Sequence, residues 1–253
     1  VTTFLKLGKH NPKWKEWFEL KSSRKRRSAQ KMLVEGSRLL EELIASPCEI
    51  ECLLFSPELL DERSSKIVHN FKGSKYQADP QSLQRLSETE TCPGCLAVCV
   101  QPDWSQLSVQ DLNAILVLEG LSDPGNIGTL VRTARAAGLD AVVCNGGADP
   151  YSGKTIRASA GAMFYLPVLE NQSLKQFADG GFTIIETVVQ GGIDLYDLPL
   201  TEKTAWVLGN ESRGVVKSNQ ALKVTIPMAE LCESLNVATA GAILMYEWRR
   251  RRT

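Results

Sequence analysis

The pattern of apolar and polar positions divides the chain near Pro102. Before it, MLVEGSRLLEELIAS (32–46) repeats apolar residues at the 3.6-residue period of a helix, and Pro12–Leu20 is also predicted helical. IECLLF (50–55) is a short buried strand, LQRLSE (83–88) a further helical turn and CLAVCV (95–100) another strand. PDWSQLSVQDLN (102–113) is polar and aperiodic, as a linker is. From Ala114 strand and helix patterns alternate: ILVLE, the IGTLVRTARAAG helix, AVVCNG, a Ser-Ala-Gly helix over 156–164, LPVL, SLKQFADG, FTIIETVV, TAWVLGN, KVTIP and a closing helix from Ser234. Such alternation predicts an α/β fold with a mainly parallel sheet and helices on both faces. The expected organisation is a basic extension over 1–28, a small α/β domain over 29–101, a linker over 102–113 and a larger α/β domain over 114–253.

At 253 residues with 43% apolar and 23% charged side chains, the chain can bury a substantial core. No run approaches the roughly 18 apolar residues of a membrane span, so no membrane association and a cytoplasmic location are expected. Formal net charge is zero, yet its distribution is uneven. Ten Lys and Arg crowd residues 6–31, including Arg24, Lys25, Arg26 and Arg27, with Trp14, Trp17 and Phe18 interleaved; Arg249–Arg252 close the chain. Basic clusters with aromatics suit phosphate contact and base stacking. The final Arg run also suits the negative end of a helix.

Other chemistries lack support. Cys92, Cys95 and Cys99 in CPGCLAVC lack the second close pair of ligands that a structural zinc site needs, so no metal is expected. His10 and His69 are the only histidines, and neither sits in a nucleophile or metal motif. SGKT (152–155) has the ending of a phosphate-binding loop, but Ala148 stands where the leading glycine is required. No G-x-G-x-x-G follows a strand.

Three segments carry a specific signal. DPGNIGTLVRTARAAG (123–138) follows a strand and holds Asn126, Arg132 and Arg135; WVLGNESRG (206–214) runs from a strand into a Gly-bracketed loop with Glu211 at its tip; SLNVATAGAILMYE (234–247) follows KVTIP. In the last, Ser234 is expected to cap the first helical turn, Asn236 to present its amide from that turn, and Ala238, Ala240, Gly241 and Ala242 to admit a close neighbour. In this order the segments resemble the three signature motifs of the SpoU (TrmH) family of RNA ribose 2′-O-methyltransferases, within the SPOUT class.

The resemblance implies a carboxy-terminal trefoil knot, S-adenosylmethionine as cofactor, RNA as substrate and a homodimer. Asn126, Arg132, Glu211, Ser234 and Asn236 match its catalytic positions; Leu208, Gly209, Gly214, Ile226, Met228 and Leu235 match its cofactor positions. Arg24, Lys25, Arg26, Arg27, Lys154 and Arg157 are expected to contact RNA. The region before the linker resembles the family's small substrate-binding domain through Glu35 and Gly36, with CPG in place of a Pro-Gln-Gly turn. Ser212 and Glu230 replace glycines of the second and third motifs. The implied function is methylation of a ribose 2′-hydroxyl, in rRNA ahead of tRNA; a catalytically weak RNA-binding homologue acting in ribosome assembly is the alternative.

Overall fold

The computed structural model describes residues 5–7, 11–209, 221–230 and 232–252. In chain order the elements are β1 (Leu5–Leu7), α1 (Pro12–Glu19), α2 (Ser23–Ala29), β2 (Lys31–Glu35), α3 (Ser37–Ala45), β3 (Ile50–Phe55), α4 (Glu62–Asn70), β4 (Lys75–Ala78), α5 (Pro80–Leu86), β5 (Cys95–Val100), β6 (Ala114–Glu119), α6 (Pro124–Ala137), β7 (Ala141–Asn145), α7 (Gly153–Ser159), β8 (Val168–Glu170), α8 (Leu174–Asp179), β9 (Thr183–Thr187), β10 (Ile193–Asp194), β11 (Thr204–Gly209), β12 (Leu222–Thr225) and α9 (Val237–Arg250). They form two compact units. No described helix is long and apolar enough to cross a membrane.

The first unit holds the described residues up to Pro102 together with Tyr151–Tyr165. Its five-stranded sheet has the order β1-β4-β3-β5-β2, with β5 antiparallel to both β2 and β3. The helix expected over 32–46 is corrected here: its first residues are strand β2, whose Met32 and Val34 are fully buried, and Gly36 at φ 97° turns the chain into α3. The basic start is likewise no loose extension. Trp14, Trp17 and Leu20, spaced i, i+3 and i+6 along and beyond α1, enter the core with Leu54, Leu83 and Leu96. The two tryptophans are therefore packing residues and offer no rings for base stacking. Tyr151–Tyr165, expected within the larger domain, groups with this unit because Arg157 pairs with Glu35 and Tyr165 Oη donates to Glu42 O at 3.3 Å.

The second unit spans Asp103–Pro150 and the described residues from Leu166 onward. Its seven strands run in the order β10-β12-β9-β11-β6-β7-β8, and every pairing is parallel. One face packs Ile115, Val117, Val143 and Val207 against Phe177 of α8 and Phe182. Leu208 lies on the other face and meets α9 at Gly241, where Leu130 of α6 also arrives. Burial on both faces explains the nearly unbroken apolar runs of these strands. The Glu211–Gly214 loop, on which the expected knot depends, lies outside the described residues.

The closing arginines are built into this unit. Glu247 is buried and receives Arg250 through two 2.8 Å bonds and Arg251 Nε at 2.6 Å. Arg251 also donates to the carbonyls of Leu195, Tyr196 and Leu198, and Arg252 to Thr201 O at 2.8 Å. Arg249 Nη1 donates to Ala137 O at 3.2 Å. The run thus clips the 195–201 loop to α9.

Hydrogen bonds from Arg250 first, then from Arg251 against the opposing effect of burial, lower the Glu247 carboxyl to about 2. A lowered carboxylate stabilises the fold above its ordinary titration range, and that contribution is lost as pH falls through the folded value. Glu247→Gln should therefore lower Tm at neutral pH, with the gap to wild type closing between about pH 4 and 2; melting curves across that range check it. A β-carbon at Gly241 would lie 2.3 Å from Leu130 Cδ2 and 2.8 Å from Leu208 Cδ1. Gly241→Val should cost about 1–3 kcal/mol through overpacking, and an unchanged urea midpoint would show that the two leucines yield freely.

Candidate active site

Parallel α/β sheets bind ligands beyond the carboxyl ends of their strands, and the second unit has its cavity there. About 720 Å³ is lined by Leu121, Ser122, Asp123 and Asn126 after β6, Thr187 at the end of β9 with Val188 and Val189 beyond it, Leu208 and Gly209 of β11, Ile226 and Met228 after β12, and Ser234, Leu235, Val237 and Ala240 at the entry to α9. Turn chemistry positions the first of these segments. Gly147 at φ 78° lets its backbone lie against Leu121, and Ala148 N donates to Leu121 O at 2.8 Å. Asp123 then caps α6 by accepting from Gly125 N at 3.2 Å, with Pro124 opening the helix.

The start of α9 differs from the expected one. Ser234 and Leu235 precede the helix, and Asn236 is the cap: its Oδ1 accepts from Ala238 N at 2.9 Å and Thr239 N at 3.3 Å. Ser and Asn cap helices about equally well, so their order alone does not locate the first turn. With Oδ1 held by the helix, Asn236 Nδ2 faces Asn126 and donates to its Oδ1 at 3.4 Å. Two helix N-termini thus meet at the cavity, each a source of positive partial charge.

Of the expected catalytic residues, Asn126 and Ser234 line the cavity and Asn236 joins them through Asn126. Arg132 is exposed on α6 and is not part of the lining; among the described residues it has no ion-pair partner. Six residues beyond Asn126, it points about 120° away around the helix axis. Glu211 lies outside the described residues. Of the expected cofactor positions, Leu208, Gly209, Ile226, Met228 and Leu235 all line the cavity, and Gly214 lies outside the described residues.

Sequence reasoning missed Leu121, Ser122, Asp123, Thr187, Val188, Val189, Val237 and Ala240. Thr187 lies inside the run FTIIETVV, followed by Val188 and Val189, so the sequence did not mark it as the carboxyl end of a strand. The Thr187 hydroxyl is buried and has no hydrogen-bond partner among the described residues.

The expected RNA contacts fare unevenly. Arg24, Lys25 and Arg27 are exposed on α2, with Lys25 paired to Glu19 at 2.6 Å. Arg26 is a correction: it is 5% exposed, and its Nη1 donates to Leu20 O at 2.7 Å and Lys21 O at 3.0 Å and lies 3.5 Å from Glu88. Lys154 is exposed on α7, whereas Arg157 is engaged by Glu35. Glu35, 5% exposed, also accepts from Ser87 Oγ at 2.6 Å and Glu88 N at 3.2 Å. Burial pushes the Cys52 and Cys95 thiols up to about 12, which disfavours thiolate chemistry there.

Residues 113–246 match the model of the SpoU rRNA methylase family, and residues 11–97 match that of the MRM3-like substrate-binding domain. The chain belongs to the SpoU rRNA methylase family. It is 33% identical over 249 residues to the 23S rRNA (guanosine(2553)-2′-O)-methyltransferase RlmP of Bacillus subtilis (strain 168), a match covering 94% of this chain and 96% of that one. The crystal structure of the SpoU methyltransferase AviRb from Streptomyces viridochromogenes in complex with AdoMet superposes with a TM-score of 0.85 at 27% identity, covering 96% and 98% of the two chains. That of an RNA 2′-O ribose methyltransferase gives a TM-score of 0.81 at 28% identity, covering 99% of each. Within this SpoU framework the substrate-binding match falls in the first unit, whose Tyr151–Tyr165 segment belongs to the methylase match, and the cavity falls inside the methylase segment.

The double duty of Asn236 is testable. Asn236→Ala should cost about 0.5–2 kcal/mol through loss of the cap. Asn236→Asp keeps the capping oxygen but cannot donate to Asn126, so it should regain stability while any binding that depends on the Asn126 orientation stays impaired. Thermal melts and cofactor calorimetry on both variants separate the two effects.

Proposed function

We propose that this protein transfers a methyl group from S-adenosylmethionine to a ribose 2′-hydroxyl of RNA, with rRNA the substrate class and tRNA second. The observation that carries the reading is the single cavity wall shared by Leu208, Gly209, Ile226, Met228 and Leu235 with Asn126 and Ser234, segments of all three signature motifs. The residues present fit the cofactor. Apolar side chains suit its adenine ring, the orphaned Thr187 hydroxyl offers a buried polar partner, and two helix N-termini favour its carboxylate. When bound, the cofactor supplies a methyl group already activated as a sulfonium.

The protein's own task is to bind, orient and stabilise. Gly209 allows close backbone approach, while Leu208, Ile226 and Leu235 exclude water from the cofactor. Asn126, held by Asn236, orients the ribose or the cofactor end. Arg132 acts as a fixed cation and not as a general base. Its role is to hold the neighbouring phosphate and stabilise the developing oxyanion, with Glu211 orienting it.

A homodimer in the cytoplasm belongs to the same proposal. Tyr246 stands exposed on α9, and Arg132 stands outside the cavity of its own chain; both favour a second copy against this surface. Light scattering showing only a 27.8 kDa species at micromolar concentration would count against it. The carboxy-terminal trefoil knot is likewise proposed, on the strength of the SpoU fold.

Ribose methylation mapped in total RNA with and without the protein tests the activity, and unchanged maps in every RNA pool would remove it. Calorimetry with S-adenosylmethionine separates the enzyme from a weak RNA-binding homologue, which should give no heat. Arg132→Ala should abolish turnover yet keep most RNA affinity, because a group acting in the transition state adds little to ground-state binding. Filter retention and tritium incorporation on the same preparation check both halves.

A further inference from the structure

Burial of Trp14 and Trp17 leaves Phe18 as the exposed ring of α1. It is 41% exposed, and no other large apolar side chain of α1 or α2 is exposed. Its ring stacks on Trp14 with centroids 5.1 Å apart and planes 15° from parallel. Trp14 is itself fixed: it is buried in the core and its Nε1 donates to Ser82 O at 3.4 Å. Phe18 is thus an exposed aromatic surface on a rigid base, off the apolar stripe that Trp14, Trp17 and Leu20 use for packing.

The surroundings are cationic. Residues 11–31 carry eight Lys and Arg against two Glu, in a chain whose formal net charge is zero. Lys25 and Lys31 are matched by glutamates and Arg26 is buried, whereas Lys15, Lys21 and Arg24 are exposed and pair with no carboxylate among the described residues. The Lys21 ammonium lies 5.8 Å from the Phe18 ring centre and donates to Arg85 O at 2.9 Å and Ser87 O at 2.8 Å. An ammonium has three donors, so one remains for an anionic oxygen.

We propose that Phe18 is the stacking platform for an unpaired nucleobase of the RNA, with Lys21 receiving the adjoining phosphate. A protein partner is disfavoured, because one ring set among cations falls far short of the roughly 800 Å² per side of a standard protein interface. A nucleic acid needs only the ring and the charge: base–aromatic stacking is sequence-tolerant, and a basic surface tracks the backbone. The inference rests on the RNA-methyltransferase reading and adds the residue through which the first unit selects unpaired substrate.

The test uses the full chain, a labelled mixed-sequence single-stranded RNA of about 20 nucleotides, and heparin as a polyanion without bases. Phe18→Leu keeps an apolar side chain against Trp14 and Phe18→Tyr keeps the ring; circular dichroism melts confirm that both are folded. Phe18→Leu should bind the RNA about tenfold more weakly, and Phe18→Tyr within about twofold of wild type. Heparin binding should be unchanged in both, while Lys21→Gln should lower the salt slope for RNA by about 0.7. Wild-type RNA affinity in Phe18→Leu, or an equal loss of heparin binding, would overturn the proposal. If wild type binds and methylates RNA and Phe18→Leu is silent, this inference alone falls; if wild type binds no RNA at all, the functional reading falls with it.

Discussion

The close approach of α6 and α9 is the constraint on which the second unit depends. It exists because position 241 has no side chain, so Leu130 and Leu208 can fill the space where a β-carbon would stand. Both helices start at the carboxyl edge of the sheet, so drawing their bodies together also draws their first turns together. Asn126 and Asn236 meet for that reason, although 110 residues separate them. A packing requirement in the core thereby sets the geometry of polar groups at the cavity, and the cavity inherits the rigidity of two long helices rather than the softness of loops.

Charge in this protein is sorted by what lies next to it. The four arginines at the end of α9 resemble a solvated tail by composition, yet three of them donate to main-chain carbonyls and two engage one buried glutamate. Arg26, within a basic run, is buried in the same way against carbonyls. Such arginines satisfy acceptors that loops and helix ends leave over. The remaining cations around α1 and α2, among them Lys15, Lys21 and Arg24, stay exposed.

Much of this was legible in the sequence, for identifiable reasons. Strands buried on both faces leave unbroken apolar runs, so β6, β7, β9 and β11 could be read directly, and five of six cofactor positions reached the cavity wall while the sixth lies outside the described residues. What failed was local. KMLVE adjoins α3 with only Gly36 between them, and a continuous apolar count hides a positive-φ turn. Ser234 and Asn236 are equivalent capping types, so only the hydrogen bonds chose between them. Trp14 and Trp17 lie among lysines, and composition drew them outward although their i, i+3 spacing with Leu20 was that of a core stripe. Thr187 carried no motif; its place at a strand end gave it meaning.

The segment Tyr151–Tyr165 has a consequence for how the protein is made. Because it packs with the first unit while β6, α6 and β7 belong to the second, the chain crosses between the units three times. During amino-to-carboxyl synthesis the apolar core of the first unit, built from residues 14–98, is complete when Pro102 emerges, but Glu35 still awaits Arg157. By the time that arginine is available, β6 and β7 of the second sheet have already been made without β11 and β8, the strands that flank them. The nascent chain therefore holds a first unit short of one ion pair together with an unfinished second sheet, and a gene cut at the linker would deliver a first unit with a buried carboxylate lacking its cation.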